Sequence, residues 1–179
     1  MNDRDNYVFF WKPTEVNAGW ASQWYYSPFT VTVAIDDKEI TAELPTAEHW
    51  MMLQKALLFK DSAVAREVLD ADASDMAYVK ALGRKVQNFD DGTWNAARER
   101  IVLEGSLLKF GQNEELKAKL LATGSKLLVE ASPRDRIWGV GFGEKNALSQ
   151  KHRWGLNLLG KALEEARRRL REEETGNDS

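Results

Sequence analysis

Glu48 and Lys55 stand seven residues apart in a segment that reads as one helix. Two turns bring them onto one face, about 10 Å apart along the axis. Both side chains are long enough for their heads to meet at a shared ligand. Glu48 also falls in the first turn, beside the positive end of the helix, which favours its ionised form. A fixed carboxylate stabilises a developing cation, and a desolvated lysine amine attacks an electrophilic carbon. The same spacing also suits a solvated first-turn carboxylate and a lysine whose stem covers apolar surface.

A second constellation follows Leu128-Val129-Glu130-Ala131, an apolar run with the look of a buried strand. It leads into a loop that carries Asp135, Trp138, Gly139, Gly141 and Gly143. Strand ends that feed loops often hold functional groups, and glycine lets a backbone approach a ligand closely. The other reading is a flexible surface loop anchored by Trp138. Gly-x-Gly without a following helix is not a dinucleotide fingerprint. Arg84 offers a fork of donors suited to phosphate, or simply a cation at a helix C-terminus. Trp94 suits either a stacked base or the inner face of a long helix. His49 adjoins Glu48, but helical neighbours point in different directions. No His, Asp and Glu cluster has metal-ligand spacing, so no metal is expected.

The composition bounds these options. The 179 residues suit one domain, and 43% apolar with 30% charged residues is a globular balance. A net charge of −3 advertises no duplex-binding surface. There is no cysteine, which excludes disulfides and thiolate chemistry. The polar start, Met1 to Asn6, is unlike a signal peptide, and no apolar run is long enough for a membrane span, so a cytoplasmic location and no membrane partner are expected. Seven tryptophans, several beside glycine or polar residues, fit a pocket that stacks a flat ligand.

The elements that must position these residues follow from periodicity and caps. Tyr7 to Trp11 reads as a strand, followed by a Trp- and Tyr-rich loop to Pro28. Phe29–Ile35 and Lys38–Leu44 alternate with period two about Asp36-Asp37, which predicts a hairpin with Val31, Val33, Ile35, Ile40, Ala42 and Leu44 inside. Thr46 is placed to cap a helix running to about Phe59. Further helices are expected from Asp61 or Ser62 to Ala71, from Ser74 to a terminating Gly83, from Asp91 or Thr93 to Gly111, and from Glu114 to Ala122. Lys126–Ala131 is a strand, 133–151 a loop, and a last helix opens near Trp154 or Gly155. Its basic then acidic end, Arg167 to Glu174, reads as a solvated helix terminus. The expected domain spans 7–170, with disordered ends at 1–6 and 171–179.

Several segments, taken in order, resemble one family. They are Ser22-Gln23-Trp24-Tyr25-Tyr26-Ser27-Pro28-Phe29, then Leu44-Pro45-Thr46-Ala47-Glu48-His49-Trp50 with Gln54-Lys55-Ala56, then Ala81-Leu82-Gly83-Arg84 with Trp94. Leu120-Leu121-Ala122-Thr123-Gly124, Leu128 to Asp135, Trp138-Gly139-Val140-Gly141 and Gly155-Leu156-Asn157-Leu158-Leu159-Gly160 complete the set. The sequence is similar to the NADAR family of YbiA-like proteins over about Phe9 to Arg168. One stretch, Glu144 to Lys151, departs from the bacterial pattern and bears on pocket shape.

The resemblance implies a compact α+β fold, predominantly helical, with a small β-hairpin or sheet. It implies an N-glycosidase, a hydrolase of ribosyl C–N bonds that needs no cofactor. The implied substrates are phosphorylated ribosylamino-pyrimidines of riboflavin synthesis, or ADP-ribosylated guanine, free or in nucleic acid. Glu48, Trp94 and Asp135 match active-site positions, Lys55 a lysine that reacts with the ribose anomeric carbon, and Arg84 a phosphate contact. Trp24, Trp138, Gly139 and Asn157 join them as substrate-binding candidates. A non-catalytic module for ADP-ribose or NAD is the alternative, and the oligomeric state is left open.

Overall fold

In chain order, a computed structural model gives strands β1 (Tyr7–Phe10), β2 (Phe29–Ile35) and β3 (Lys38–Leu44), then helices α1 (Ala47–Leu58), α2 (Ser62–Asp70), α3 (Met76–Arg84), α4 (Asp91–Gly111) and α5 (Glu114–Ala122). Strand β4 (Leu127–Glu130) and helices α6 (Glu144–Ala147) and α7 (Leu158–Asn177) complete the chain. The structure describes residues 3–177. The fold is α+β and predominantly helical, with two small sheets of two strands each among the described residues. No helix among them is long and apolar enough to cross a membrane. The chain divides into two compact units, residues 26–113 and residues 1–25 with 114–179.

The 26–113 unit starts from the hairpin. Asp36 and Asp37 both adopt left-handed backbone, φ 51° and 66°, as a tight two-residue turn requires. β2 and β3 then pair antiparallel, from Phe29 opposite Leu44 to Ile35 opposite Lys38. Phe29, Val31, Val33 and Ile35 are buried while Thr30, Thr32 and Ala34 face out, as the alternation predicts. Each such apolar side chain contributes roughly 1.5–3 kcal/mol when taken fully out of water. Gln112 ends α4 and acts on β2 like a strand neighbour. Its side-chain Oε1 accepts from the Thr30 amide at 2.8 Å and its Nε2 donates to the Thr30 carbonyl at 2.9 Å.

Helix α1 is the hub of this unit and packs on α2, α3 and α4. Two glycines let the helices close on it. A Cβ on Gly83 would lie 2.0 Å from Met52 Sδ, and one on Gly105 would lie 2.6 Å from Trp50 Cδ1. Gly83 therefore does not end α3, as its type suggested; the helix continues through Arg84, and the glycine serves close packing. The start of α3 is also displaced by one residue. Asp75 accepts from the Tyr78 amide at 3.0 Å, while Ser74 is turned back onto Asp72.

Lys109 on α4 is 1% exposed, and its Nζ lies 5.0 Å from the centre of the Phe110 ring. Burial pushes its ammonium down to about 7. In the unfolded chain the amine keeps its ordinary value near 10.5. Between those limits the unfolded chain binds more protons, so stability climbs with pH from about 7 towards 10.5 and is lost as pH falls. Lys109→Met lacks this dependence. Its stability relative to the wild type is expected to drop by roughly 2–4 kcal/mol between pH 7 and pH 10, read from urea unfolding at both values. A difference that stays constant with pH would refute the assignment.

The other unit pairs β1 with β4 in parallel, Tyr7 opposite Leu127 and Phe10 opposite Glu130. Helix α7 packs on β4 and α5 packs on α7. The segment 133–151, expected as a loop, contains α6 and a 3-10 stretch, Leu148–Arg153. Ala147 is buried with Tyr7, Phe9, Val129 and Val140, and Leu148 and Trp154 pack against that cluster. Helix α7 starts at Leu158 rather than near Trp154, because residues 155–159 first run alongside the preceding loop. Amides of Gly155, Leu156, Asn157, Leu158 and Leu159 donate to carbonyls of Val140, Arg136, Gly139, Ile137 and Trp138.

The basic block on α7 is only partly a solvated face. Arg167 is buried, and its guanidinium donates to Thr123 Oγ1 at 2.9 Å and to the Lys126 carbonyl at 2.8 Å. Arg171 donates to the carbonyls of Leu121 and Gly124. Arg171 thus binds the end of α5, and Arg167 ties the turn that leads from α5 to β4. The helix then runs to Asn177 through the stretch read as a tail, with Glu172 paired to Arg168 and Glu174 to Lys117. Asp3–Asn6 forms a 3-10 turn in which Arg4 meets Glu144 at 3.0 Å. The rest of the expected disordered ends, residues 1–2 and 178–179, lies outside the described residues.

Candidate active site

The nine candidate residues divide between the two units. Glu48, Lys55, Arg84 and Trp94 belong to residues 26–113; Trp24, Asp135, Trp138, Gly139 and Asn157 belong to the other unit.

Helix α1 sets the first group. Thr46 accepts from the His49 amide at 3.2 Å and so fixes where the helix begins. His49 is wholly buried. Its Nε2 lies 3.0 Å from the Ala71 carbonyl and its Nδ1 lies 2.7 Å from Thr46 Oγ1. A carbonyl only accepts, so Nε2 carries the proton and Nδ1 accepts from the hydroxyl. Burial pushes the ring's proton affinity down. His49 is thus a neutral core tie between α1 and the end of α2.

Glu48 is 7% exposed. Lys55 is half-buried two turns further on, and burial is the main influence lowering its ammonium from the ordinary lysine value. Glu48 opposes that shift and Arg84 adds to it, so both charges act on Lys55. Trp94, 8% exposed in the first turn of α4, presents its ring 5.4 Å from Lys55 Nζ. The sequence-derived set of four is therefore brought together around one amine. Arg84 itself is exposed at the end of α3.

The sequence reading passed over one residue of this group. Phe89 places its ring centre 4.7 Å from Lys55 Nζ and packs on Phe59 at 5.3 Å. Its sequence signal is slight: one aromatic in a polar link, just before the Asp90 that caps α4.

In the other unit, Asp135 Oδ1 accepts from the amides of Ile137 at 2.9 Å and Trp138 at 2.8 Å. Trp138 is half-buried, and its carbonyl is held by Leu159 at 3.1 Å. A Cβ on Gly139 would sit 2.7 Å from the Glu130 carbonyl, so the loop lies directly against β4. Asn157, at φ 50°, spends both ends of its carboxamide on that strand. Its Oδ1 accepts from the Glu130 amide at 3.0 Å and its Nδ2 donates to the Leu128 carbonyl at 2.9 Å. The Asp135–Trp138 loop is thus pinned at both edges and is no loose surface loop. Trp24 is half-buried, with its amide on Ser22 Oγ at 3.2 Å. Among the described residues no three His, Cys, Asp or Glu side chains converge as metal ligands.

Known proteins share this sequence and fold. The chain is 41% identical over 165 residues to an N-glycosidase of Acanthamoeba polyphaga mimivirus, covering 90% of this chain and 94% of that protein. It is 32% identical to a riboflavin biosynthesis protein of Vibrio vulnificus, over 92% of this chain and 39% of that longer protein. The NMR structure of the E. coli protein YbiA superposes with a TM-score of 0.72 at 27% identity, over 96% of this chain and 88% of that one. The family model of the NADAR domain matches residues 9–171, a stretch that takes in most of both units, and the chain belongs to the NADAR family.

Proposed function

We propose that this protein is an N-glycosidase that cleaves the C–N bond between a phosphorylated ribosyl group and a base-like amine. The observation that carries the reading is the Lys55 amine, half-buried between two aromatic rings with a buried carboxylate and a guanidinium acting on it. Its relatives' names support the reaction class, since one of them is an N-glycosidase.

Cleavage builds positive charge on the sugar, and Glu48 stabilises it. Lys55 Nζ forms a bond to the anomeric carbon as the C–N bond breaks, and the departing nitrogen takes the electron pair and a proton. Ring opening then gives an imine, which water hydrolyses to the free sugar and the amine. Arg84 holds phosphate, with a fork of donors open to solvent. Trp94 stacks on the ligand. Gly139 and Asn157 hold the Asp135 loop in place.

The preferred substrate is a ribosylamino-pyrimidine phosphate. Support comes from the Vibrio vulnificus relative, named for riboflavin biosynthesis. The test is release of free sugar from that compound and from ADP-ribosylated guanosine. Faster release from the first is expected. Release only from the second would reassign the substrate, and release from neither, with binding retained, would favour a non-catalytic reader.

A further inference from the structure

We infer that Phe89 is a positioning residue for Lys55: its ring, held by a purpose-built link between α3 and α4, stands where water would otherwise solvate the amine. The inference deepens the proposed reaction and rests on it for its catalytic meaning, though not for its physical content.

The link is short and tied at both sides. Gln87 donates its amide to Asp61 Oδ2 at 2.9 Å, while Asp61 Oδ1 caps α2 through the Val64 amide at 3.1 Å. Asp90 accepts from the Thr93 amide at 2.8 Å and the Thr93 hydroxyl at 2.7 Å. Val86 is buried between these anchors. Asn88 adopts left-handed backbone at φ 61°, which non-glycine residues rarely take and asparagine tolerates best. That turn sends the next side chain back towards α1. There Lys55 and Phe59, one helical turn apart, both meet the Phe89 ring.

Phe89 is nevertheless 42% exposed. A large aromatic kept at the surface by two aspartate anchors and a left-handed asparagine is not there to fill a core. What it touches is the Phe59 ring on one side and the amine on the other. The charged groups acting on Lys55 are Glu48, from its own helix, and Arg84, from α3. They act in opposite directions, and burial outweighs both. The rings beside the amine are the partly exposed Phe89, 4.7 Å from Nζ, and the buried Trp94, 5.4 Å from it. A desolvated amine sheds its proton more readily and is nucleophilic at lower pH.

The test reads the amine directly. Trace acetylation across a pH series, followed by mass spectrometry of the Lys55 peptide, gives the midpoint at which the free amine forms, with no turnover required. Phe89→Ala is expected to move that midpoint up, towards an ordinary lysine. Phe89→Tyr, which keeps the ring, is expected to leave it near the wild-type value and guards against a general loss of fold. The alkaline shift should reappear in the pH profile of kcat for sugar release. An unmoved midpoint in Phe89→Ala overturns the inference even where the wild type releases sugar. A moved midpoint supports it even where no sugar is released, and that outcome would count against the proposed reaction alone.

Discussion

Glu48→Gln is expected to lower the rate of sugar release by roughly 10²–10³-fold while changing KM little. The substitution keeps the volume, removes the charge and turns one of the two acceptor oxygens into a donor. Glu48 is 7% exposed, so its carboxylate works in a setting where water screens it poorly. Ground-state substrate carries no positive charge at the anomeric carbon. The transition state does. An isosteric neutral replacement therefore loses an interaction made only in the transition state, which lowers kcat and kcat/KM together. Steady-state kinetics on the ribosylamino-pyrimidine phosphate measure it. A rate within tenfold of the wild type would remove Glu48 from the chemistry.

Borohydride is expected to trap substrate sugar on Lys55, and the adduct should be absent from Lys55→Arg. The reducing agent converts a transient imine into a stable secondary amine that mass spectrometry locates on one peptide. Arginine keeps the positive charge at this position and cannot form the imine. The variant thus separates two roles for Lys55. If the lysine only clamps phosphate, the wild type gives no adduct and Lys55→Arg keeps substantial activity. If it is the nucleophile, the adduct forms and the variant is inactive. Burial lowers the Lys55 ammonium below the usual lysine range, so a larger share is free amine at a given pH than at an exposed lysine. The adduct should accordingly form first at this site among the lysines of the chain.

The Lys109 and Lys55 ammonium groups are both lowered by burial, yet they play different parts. Lys109 is closed off within α4 packing and affects stability with pH. Lys55 keeps partial exposure, and two opposing charges act on it. Accessibility separates a structural amine from a reactive one.

Patterns carried by neighbouring residues were legible along the chain. Period-two alternation about Asp36-Asp37 gives the β2–β3 hairpin, and Thr46 followed by an apolar helix places Glu48 in a first turn. Helical geometry then puts Lys55 on the face of Glu48. The ordered motifs identify the family, whose model covers residues 9–171. Local chemistry misled elsewhere, as two cases show. Gly83 reads as a helix stop but serves contact with Met52, and the basic block of α7 reads as solvated although Arg171 binds the end of α5 and Arg167 the turn beyond it.

What the sequence by itself determined is therefore the short-range part of this protein: helix starts, the hairpin turn, and the pairing of a carboxylate with an amine two turns away. Backbone dihedrals and hydrogen bonds between near neighbours set those features. Only the tertiary structure decided that Trp94 and Phe89, 39 and 34 residues beyond Lys55, would enclose that amine. It alone joined β1 to β4 across 120 positions, and bound the Asp135 loop rung by rung to residues 155–159. Desolvation depends on which distant surfaces meet, and no local periodicity records that.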